Sequence, residues 1–296
     1  MASLREIKDR IGSVRSTLKI TNAMKLVASA KLRKAQQTIE GLHPYEATLA
    51  SILSYVRTAS PKAVAKDKKN SASGKTAVVV VASNSSLCGG FNANVVRKAL
   101  DVIYDCEGDV DVFAIGRKAA DALCREGYPV PELLSGSGLN TEELVGHTDY
   151  EESTRFAQML IDAYESGEYG RVLLVYSHFV STSRQDVMCE TYLPFDVQPA
   201  AEGDDPADEP TADSCDIILE PGAGAIVEYL MPLVMKLKIY TVLLDSVASE
   251  HAARTIAMQT ASDNAKDILD ELTLEYNKGR QQQITAELLD IVGGSQ

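Results

Sequence analysis

Apolar residues near the N-terminus recur at alternating steps of three and four: Leu4, Ile7, Ile11, Val14 and Leu18, then Ala28, Leu32, Ala35, Ile39 and Leu42. Thr21 and Lys25 occupy the steps between these two runs. A coiled-coil seam repeats every 3.5 residues, so the pattern predicts one helix over residues 1–58 with a continuous stripe to bury. Pro44 is the residue expected to kink or break it, because it lacks the amide that a helix interior needs. The same spacing returns after Pro221, first in Ile226, Leu230, Leu233, Leu237, Tyr240, Leu244 and Val247 and then in Met258, Ala261, Ala265, Ile268 and Leu272. His251 and Arg254 stand on seam positions between those runs. Pro232 falls near the first turns, where a helix tolerates it best, and Gly293-Gly294 marks the expected end.

Each stripe needs a partner, and the cheapest partner is the other. The expectation is therefore a long antiparallel two-helix coiled coil built from the chain's two ends. A helix of about 55 residues is roughly 80 Å long at 1.5 Å per residue. Small seam residues (Ala28, Ala35, Ala261, Ala265) allow close approach of the two backbones.

Between the ends the periodicity changes. TAVVVVAS, from Thr76, is a β-branched run suited to a buried parallel strand. A glycine turn, Leu87-Cys88-Gly89-Gly90, leads into a helix over Asn94–Tyr104. DVDVFAIG reads as a second strand, RKAADALCREG as a second helix closed by Gly127, Thr154–Ser166 as a third helix, and RVLLVYS as a third core strand. VMCETYLP reads as an antiparallel edge strand, and Gly136-Ser137-Gly138 as a loop. Alternation of this kind predicts an α/β fold with a Rossmann-like central domain. The predicted divisions are 1–58 for the first coiled-coil helix, 59–75 for a linker, 76–197 for the α/β domain, 198–216 for an acidic insertion, and 217–296 for the second helix.

Charge sharpens the picture. The net charge is −13, yet residues 1–40 carry nine basic side chains against three acidic ones, and 201–220 carry eight acidic and no basic. A basic arm of this kind meets acidic partners, whether nucleic acid or an acidic protein surface, or is simply a solvated helix face. The longest apolar run, Ala77–Ala82, is too short to span a bilayer, and MASLREIKDR lacks the apolar core of a secretory signal. Five scattered Cys without a CxxC pair predict neither a disulfide framework nor a zinc site.

Catalytic chemistry finds little support. Ser73-Gly74-Lys75-Thr76 resembles half a P-loop, but it precedes the strand that a P-loop follows, and Lys69 stands where glycine is required. The Leu87–Gly90 turn does follow a strand and open a helix, the place for a backbone anion nest. It lacks GxGxxG and a ribose-binding acid, and a tight structural or docking turn is the simpler reading. The four His residues show no metal-ligand spacing. No catalytic residue, cofactor site or metal site is expected. Rival classes are an α/β nucleotide-binding enzyme with helical extensions and a coiled-coil DNA- or scaffold-binding protein.

At the two ends the sequence becomes specific. Ile7–Gln36 (IKDRIGSVRSTLKITNAMKLVASAKLRKAQ) resembles the N-terminal helix of the gamma subunit family of rotary F-type ATP synthases. Ser246–Gly294 resembles that family's C-terminal helix, and LCGGFNAN, from Leu87, resembles its turn after the first strand. The chain departs from the pattern at Asn84-Ser85-Ser86, where the family has an acidic-basic-glycine triplet. It also departs after the shared FVST at Phe179–Thr182, and in the acidic insertion, where photosynthetic relatives carry a regulatory thiol loop. Only Cys215 lies near that insertion, with Cys189 on the strand before, so no local thiol switch is expected.

The resemblance implies a non-catalytic central-stalk rotor on the cytoplasmic face of the bacterial inner membrane. Its implied partners are the alpha and beta subunits, the epsilon subunit and the membrane c-ring, with no nucleic acid and no small-molecule substrate. Subunit contacts are expected at Thr21, Met24, Lys25, His251 and Arg254, where polar or charged residues interrupt or flank the seam. The resemblance adds Arg280, Gln281 and Thr285 near the tip, and Leu87, Cys88, Gly89 and Gly90 as the docking turn.

Overall fold

A computed structural model describes residues 4–59, 75–129, 131–195 and 220–293. The half P-loop's Ser73-Gly74, Cys215 and the acidic stretch 198–216 lie outside the described residues. Two helices dominate: α1 (Leu4–Ala59) and the C-terminal α7 (Ala223–Gly293). Between them run β1 (Lys75–Val81), α2 (Phe91–Asp105), β2 (Val110–Ile115), α3 (Arg117–Arg125), α4 (Glu132–Gly136), α5 (Thr141–Gly146), α6 (Tyr150–Glu165), β3 (Tyr169–Phe179) and β4 (Gln185–Leu193).

Contacts divide the chain into two compact units, residues 1–30 with 254–296 and residues 31–253. In the first unit α1 and α7 run antiparallel. As positions rise from Leu4 through Thr21 to Lys25 on α1, their contacts fall from Gly279 through Ser262 to Gln259 on α7. At the far end, a Cβ on Gly279 would sit 3.0 Å from Leu4 Cδ2, so glycine admits the close approach. Every seam position named on α1 from Leu4 to Leu42 is buried or half-buried, as its spacing requires.

In the second unit a four-stranded sheet has the order β2-β1-β3-β4. β1 pairs in parallel with β2 and β3, while β4 closes the edge antiparallel to β3. Strand side chains alternate between faces. Ala77, Val79, Phe113, Leu174 and Tyr176 point to a core shared with α6, α7 and the Leu53/Val56 end of α1. Val78, Val80, Val112, Leu173 and Val175 point to α2 and α3, whose Val95, Ala99, Ala119 and Leu123 cover that face. A smaller cluster joins Leu32 and Ala35 of α1 to Ala248 and Ala252 of α7, with Phe179 packed against it.

Several expectations need correction. Pro44 neither ends nor divides α1, which continues to Ala59. α2 begins at Phe91 rather than Asn94, and α6 begins at Tyr150 rather than Thr154. Glu132–Gly136, in part read as loop, is a short helix, and Thr141–Gly146 is a second, capped by Asn140 through its bond from the Glu142 amide. On α7, Ile268 is 46% exposed although its spacing assigned it to the seam. Between Met235 and Ala252 burial exceeds one stripe, because α7 packs there against both the sheet core and α1.

Candidate functional site

The two seam interruptions on α1 are answered by polar residues on α7. Thr21 donates to the Leu18 carbonyl at 3.1 Å and accepts the Ser262 hydroxyl at 2.7 Å, in a buried setting. One turn on, Lys25 Nζ donates to Gln259 Oε1 at 2.6 Å. Gln259 in turn donates to Asp263 at 2.7 Å, and Lys266 lies 3.1 Å from the same carboxylate. The Gln259 bond, then Lys266 and the more distant Lys25 charge, hold the Asp263 carboxyl below the usual aspartate value. Polar groups cross-linked in this way restrict the pair to one register, because a slip of one turn strands each of them. Met24 is half-buried beside them.

The expected contact residues occupy different settings. Arg254 is 8% exposed and His251 is also buried, each with an interaction inside the chain. Lys25 spends its ammonium on Gln259. Arg280, Gln281 and Thr285 lie past Gly279, beyond the level where Leu4 meets α7. All described residues from Arg280 to Ile291 are exposed. Ile284, Leu288, Leu289 and Ile291 are among them, an apolar surface that water does not favour.

The glycine turn is built from within. Asn92 on the first turn of α2 accepts from the Ser83 amide at 3.0 Å and the Ser83 hydroxyl at 2.9 Å, and donates to Cys88 Sγ at 3.2 Å. Cys88 is buried, whereas Leu87, with φ at +68°, stands 58% exposed at the apex. Gly89 also has positive φ, and Gly90 caps α2. Asn84, at the start of the divergent triplet, accepts from the Arg117 amide at 3.1 Å and donates to the Glu142 carbonyl at 2.6 Å. Behind it Gly116 has φ +91°, and a Cβ there would fall 2.2 Å from the Ala82 carbonyl oxygen. This is a braced turn presenting one apolar side chain. Partial burial pushes the Cys189 thiol up, although the residue itself is exposed on β4.

A hollow of about 760 Å³ beside α6, lined by Leu133, Met159, Asp162 and Glu168, opens near the start of β3. An α/β nucleotide site instead sits at the carboxyl ends of the strands. Among the described residues no group of His, Cys, Asp or Glu could hold a metal ion, and no helix is long and apolar enough to cross a membrane.

Sequence spacing missed a further set of polar bonds along α7. Tyr192 donates to the Met235 carbonyl at 3.1 Å, Lys238 pairs with Glu190 at 2.7 Å, and Thr241 donates to Glu46 at 2.7 Å. Asp245 binds His178 at 2.6 Å, and Ser249 donates to the Ser177 carbonyl at 2.9 Å. Burial alone would raise the Glu190 carboxyl, but bonds from Lys238 and Tyr176 outweigh it and hold the group below its ordinary value. The only signal in the sequence was a polar residue every three to four positions, which reads as a solvated helix face.

Paired terminal helices locked by buried polar groups, with one α/β domain inserted between them, define a coiled-coil stalk protein. A family model described as ATP synthase matches residues 3–296. The ATP synthase gamma chain of Bacteroides thetaiotaomicron is 42% identical, and that of Phocaeicola vulgatus is 43% identical. Each alignment covers 100% of this chain and 99% of the relative. Among solved structures, a chain of the Euglena gracilis mitochondrial ATP synthase (OSCP/F1/c-ring, rotational state 3) matches with a TM-score of 0.62 at 17% identity, over 99% of this chain and 93% of that one. The chain belongs to the ATP synthase gamma-chain family. It is a stalk subunit of a membrane-bound complex, and the enzymatic activity belongs to the assembly.

Proposed function

We propose that this chain is the rotor that couples proton passage through a membrane c-ring to ATP synthesis in a head of alpha and beta subunits. Residues 1–58 and 217–296 form the shaft on this reading. Residues 76–197 form the foot that the epsilon subunit and the c-ring grip, with 59–75 as a linker and 198–216 as an acidic insertion. On this reading the chain is a peripheral part of that complex on the cytoplasmic face of a bacterial inner membrane.

The observation that carries the reading, beside family membership, is the exposed stretch Arg280–Ile291 past Gly279. A bare helical tip with apolar Ile284, Leu288 and Ile291 next to polar Arg280, Gln281 and Thr285 is built to turn against a partner. Contacts that form and break at every step should be individually weak, and exposed ion pairs contribute about 0–1 kcal/mol each. Arg280, Gln281 and Thr285 suit that role as exposed surface groups, with the Thr285 hydroxyl bonded inside its own helix to the Gln281 carbonyl. Lys25 and Arg254, already engaged within the chain, would meet acidic beta-subunit levers only by sharing or exchanging those bonds. Thr21, Met24 and His251 would then act behind them, and the Leu87–Gly90 turn would dock through Leu87.

The test is complementation. Membranes from a bacterial strain lacking its gamma chain, supplied with this chain and the matching head subunits, should regain ATP-driven proton uptake. ATP hydrolysis that returns without any proton uptake would refute the coupling role.

A further inference from the structure

Strand β3 outruns the parallel part of the sheet. Its last pairing with β1 is at Val175, whereas Tyr176 to Phe179 pair only with Met188 to Gln185 of β4. The hairpin therefore projects beyond the three parallel strands, and α7 receives it. Asp245 holds the projection with both carboxylate oxygens: Oδ1 accepts the Phe179 amide at 2.8 Å and Oδ2 binds His178 Nδ1 at 2.6 Å. One turn later the buried Ser249 hydroxyl donates to the Ser177 carbonyl. Two turns earlier Lys238 binds Glu190 of β4, which Tyr176 of β3 also bonds at 2.9 Å. Lys238, Asp245 and Ser249 are seven and four residues apart, so they share one face of α7. The Phe179 ring packs on the α1–α7 cluster of Leu32, Ala35, Ala248 and Ala252.

Apolar burial is non-directional: it resists separation but tolerates sliding. Hydrogen bonds to charged groups are short and directional, so a row of them resists sliding. Here the row lies between the sheet and the helix, where a torque applied to one and delivered by the other acts as shear. From this placement we infer that the β3–β4 hairpin is a brace transferring torque between the α/β domain and the paired helices, with Asp245 as its positioning residue. The inference rests on the rotor reading.

The experiment uses the assembled membrane complex carrying Asp245→Ala, read in two ways. Hydrogen exchange at the β3 end, residues 176–179, should quicken by about tenfold, the factor by which losing a hydrogen bond to a charged group shifts an equilibrium between held and released hairpin. Protons pumped per ATP hydrolysed should fall, while hydrolysis, which takes place on other subunits, continues. Asp245→Asn keeps an oxygen for the Phe179 amide and should restore both readings towards those of the unaltered complex. If Asp245→Ala fails to assemble, Ser249→Ala, which removes a single bond to the hairpin, should move both readings in the same direction. Faster exchange with an unchanged pumping ratio would overturn the inference, as would unchanged exchange. A complex with the unaltered chain that pumps no protons would instead count against the rotor reading itself.

Discussion

Ser262 donates its hydroxyl to Thr21 across 2.7 Å between two helices, and both side chains are buried. Since the Thr21 hydroxyl itself donates a hydrogen bond to the Leu18 carbonyl, the three groups form one chain of bonds. Removing the Thr21 oxygen leaves the Ser262 hydroxyl buried without that acceptor. Thr21→Val should therefore destabilise the chain by about 1–3 kcal/mol, and Ser262→Ala, which leaves Thr21 bonded to Leu18, by about 1 kcal/mol or less. The double variant should cost less than the two added together. Denaturant midpoints of the purified full chain measure all three.

Arg280→Ala and Gln281→Ala should alter function without altering stability. Both side chains are exposed on α7 past the level of Leu4, and surface substitutions of this kind fall within about 0.5 kcal/mol. Thermal unfolding should be unchanged in the isolated chain, while the ATP hydrolysis rate of the assembled head should fall. A parallel loss of stability would place these residues in the fold rather than at a partner.

Gly116→Ala should behave in the opposite way. The added Cβ would lie 2.2 Å from the Ala82 carbonyl oxygen, at a φ of +91° that alanine rarely adopts. Strain at such a position costs about 1–3 kcal/mol before any overlap is counted. The Asn84 brace sits beside it, bonded to the Arg117 amide. Loss of soluble chain, or a lowered unfolding midpoint, is the expected reading.

Acid should weaken the sheet-to-α7 seam through Glu190. Its folded carboxyl titrates below the ordinary value of 4.5, with burial opposing and the Lys238 and Tyr176 bonds prevailing. A depressed folded value means that the stabilisation is fully present above pH 4.5 and is lost as pH falls through the folded value. Asp263, held low by Gln259 and Lys266, contributes with the same sign. Unfolding midpoints followed from neutral pH downwards should decline in this acid range, and Glu190→Gln should make the decline shallower.

The stripe on α1 was legible because every named position from Leu4 to Leu42 is buried or half-buried, so one period describes it. On α7 a single period fails between Met235 and Ala252, where the helix is enclosed by the sheet and by α1 together. The strands were legible from β-branched runs such as Val78–Val81. The short helices α4 and α5 were not, since five or six residues are too few to display a period. Lys25 was recognised as a misplaced charge, but spacing along one helix carries no information about Gln259, 234 residues away. For the same reason nothing along α7 pairs Asp245 with His178 or Lys238 with Glu190, which lie on β3 and β4.

Direct observation of rotation tests the central claim. With this chain assembled into a surface-fixed head of alpha and beta subunits and a bead attached to its α/β domain, ATP should drive the bead round in one direction. Rotation should stop when ATP is withheld. Steady ATP hydrolysis by that complex with a bead that does not turn would contradict the account.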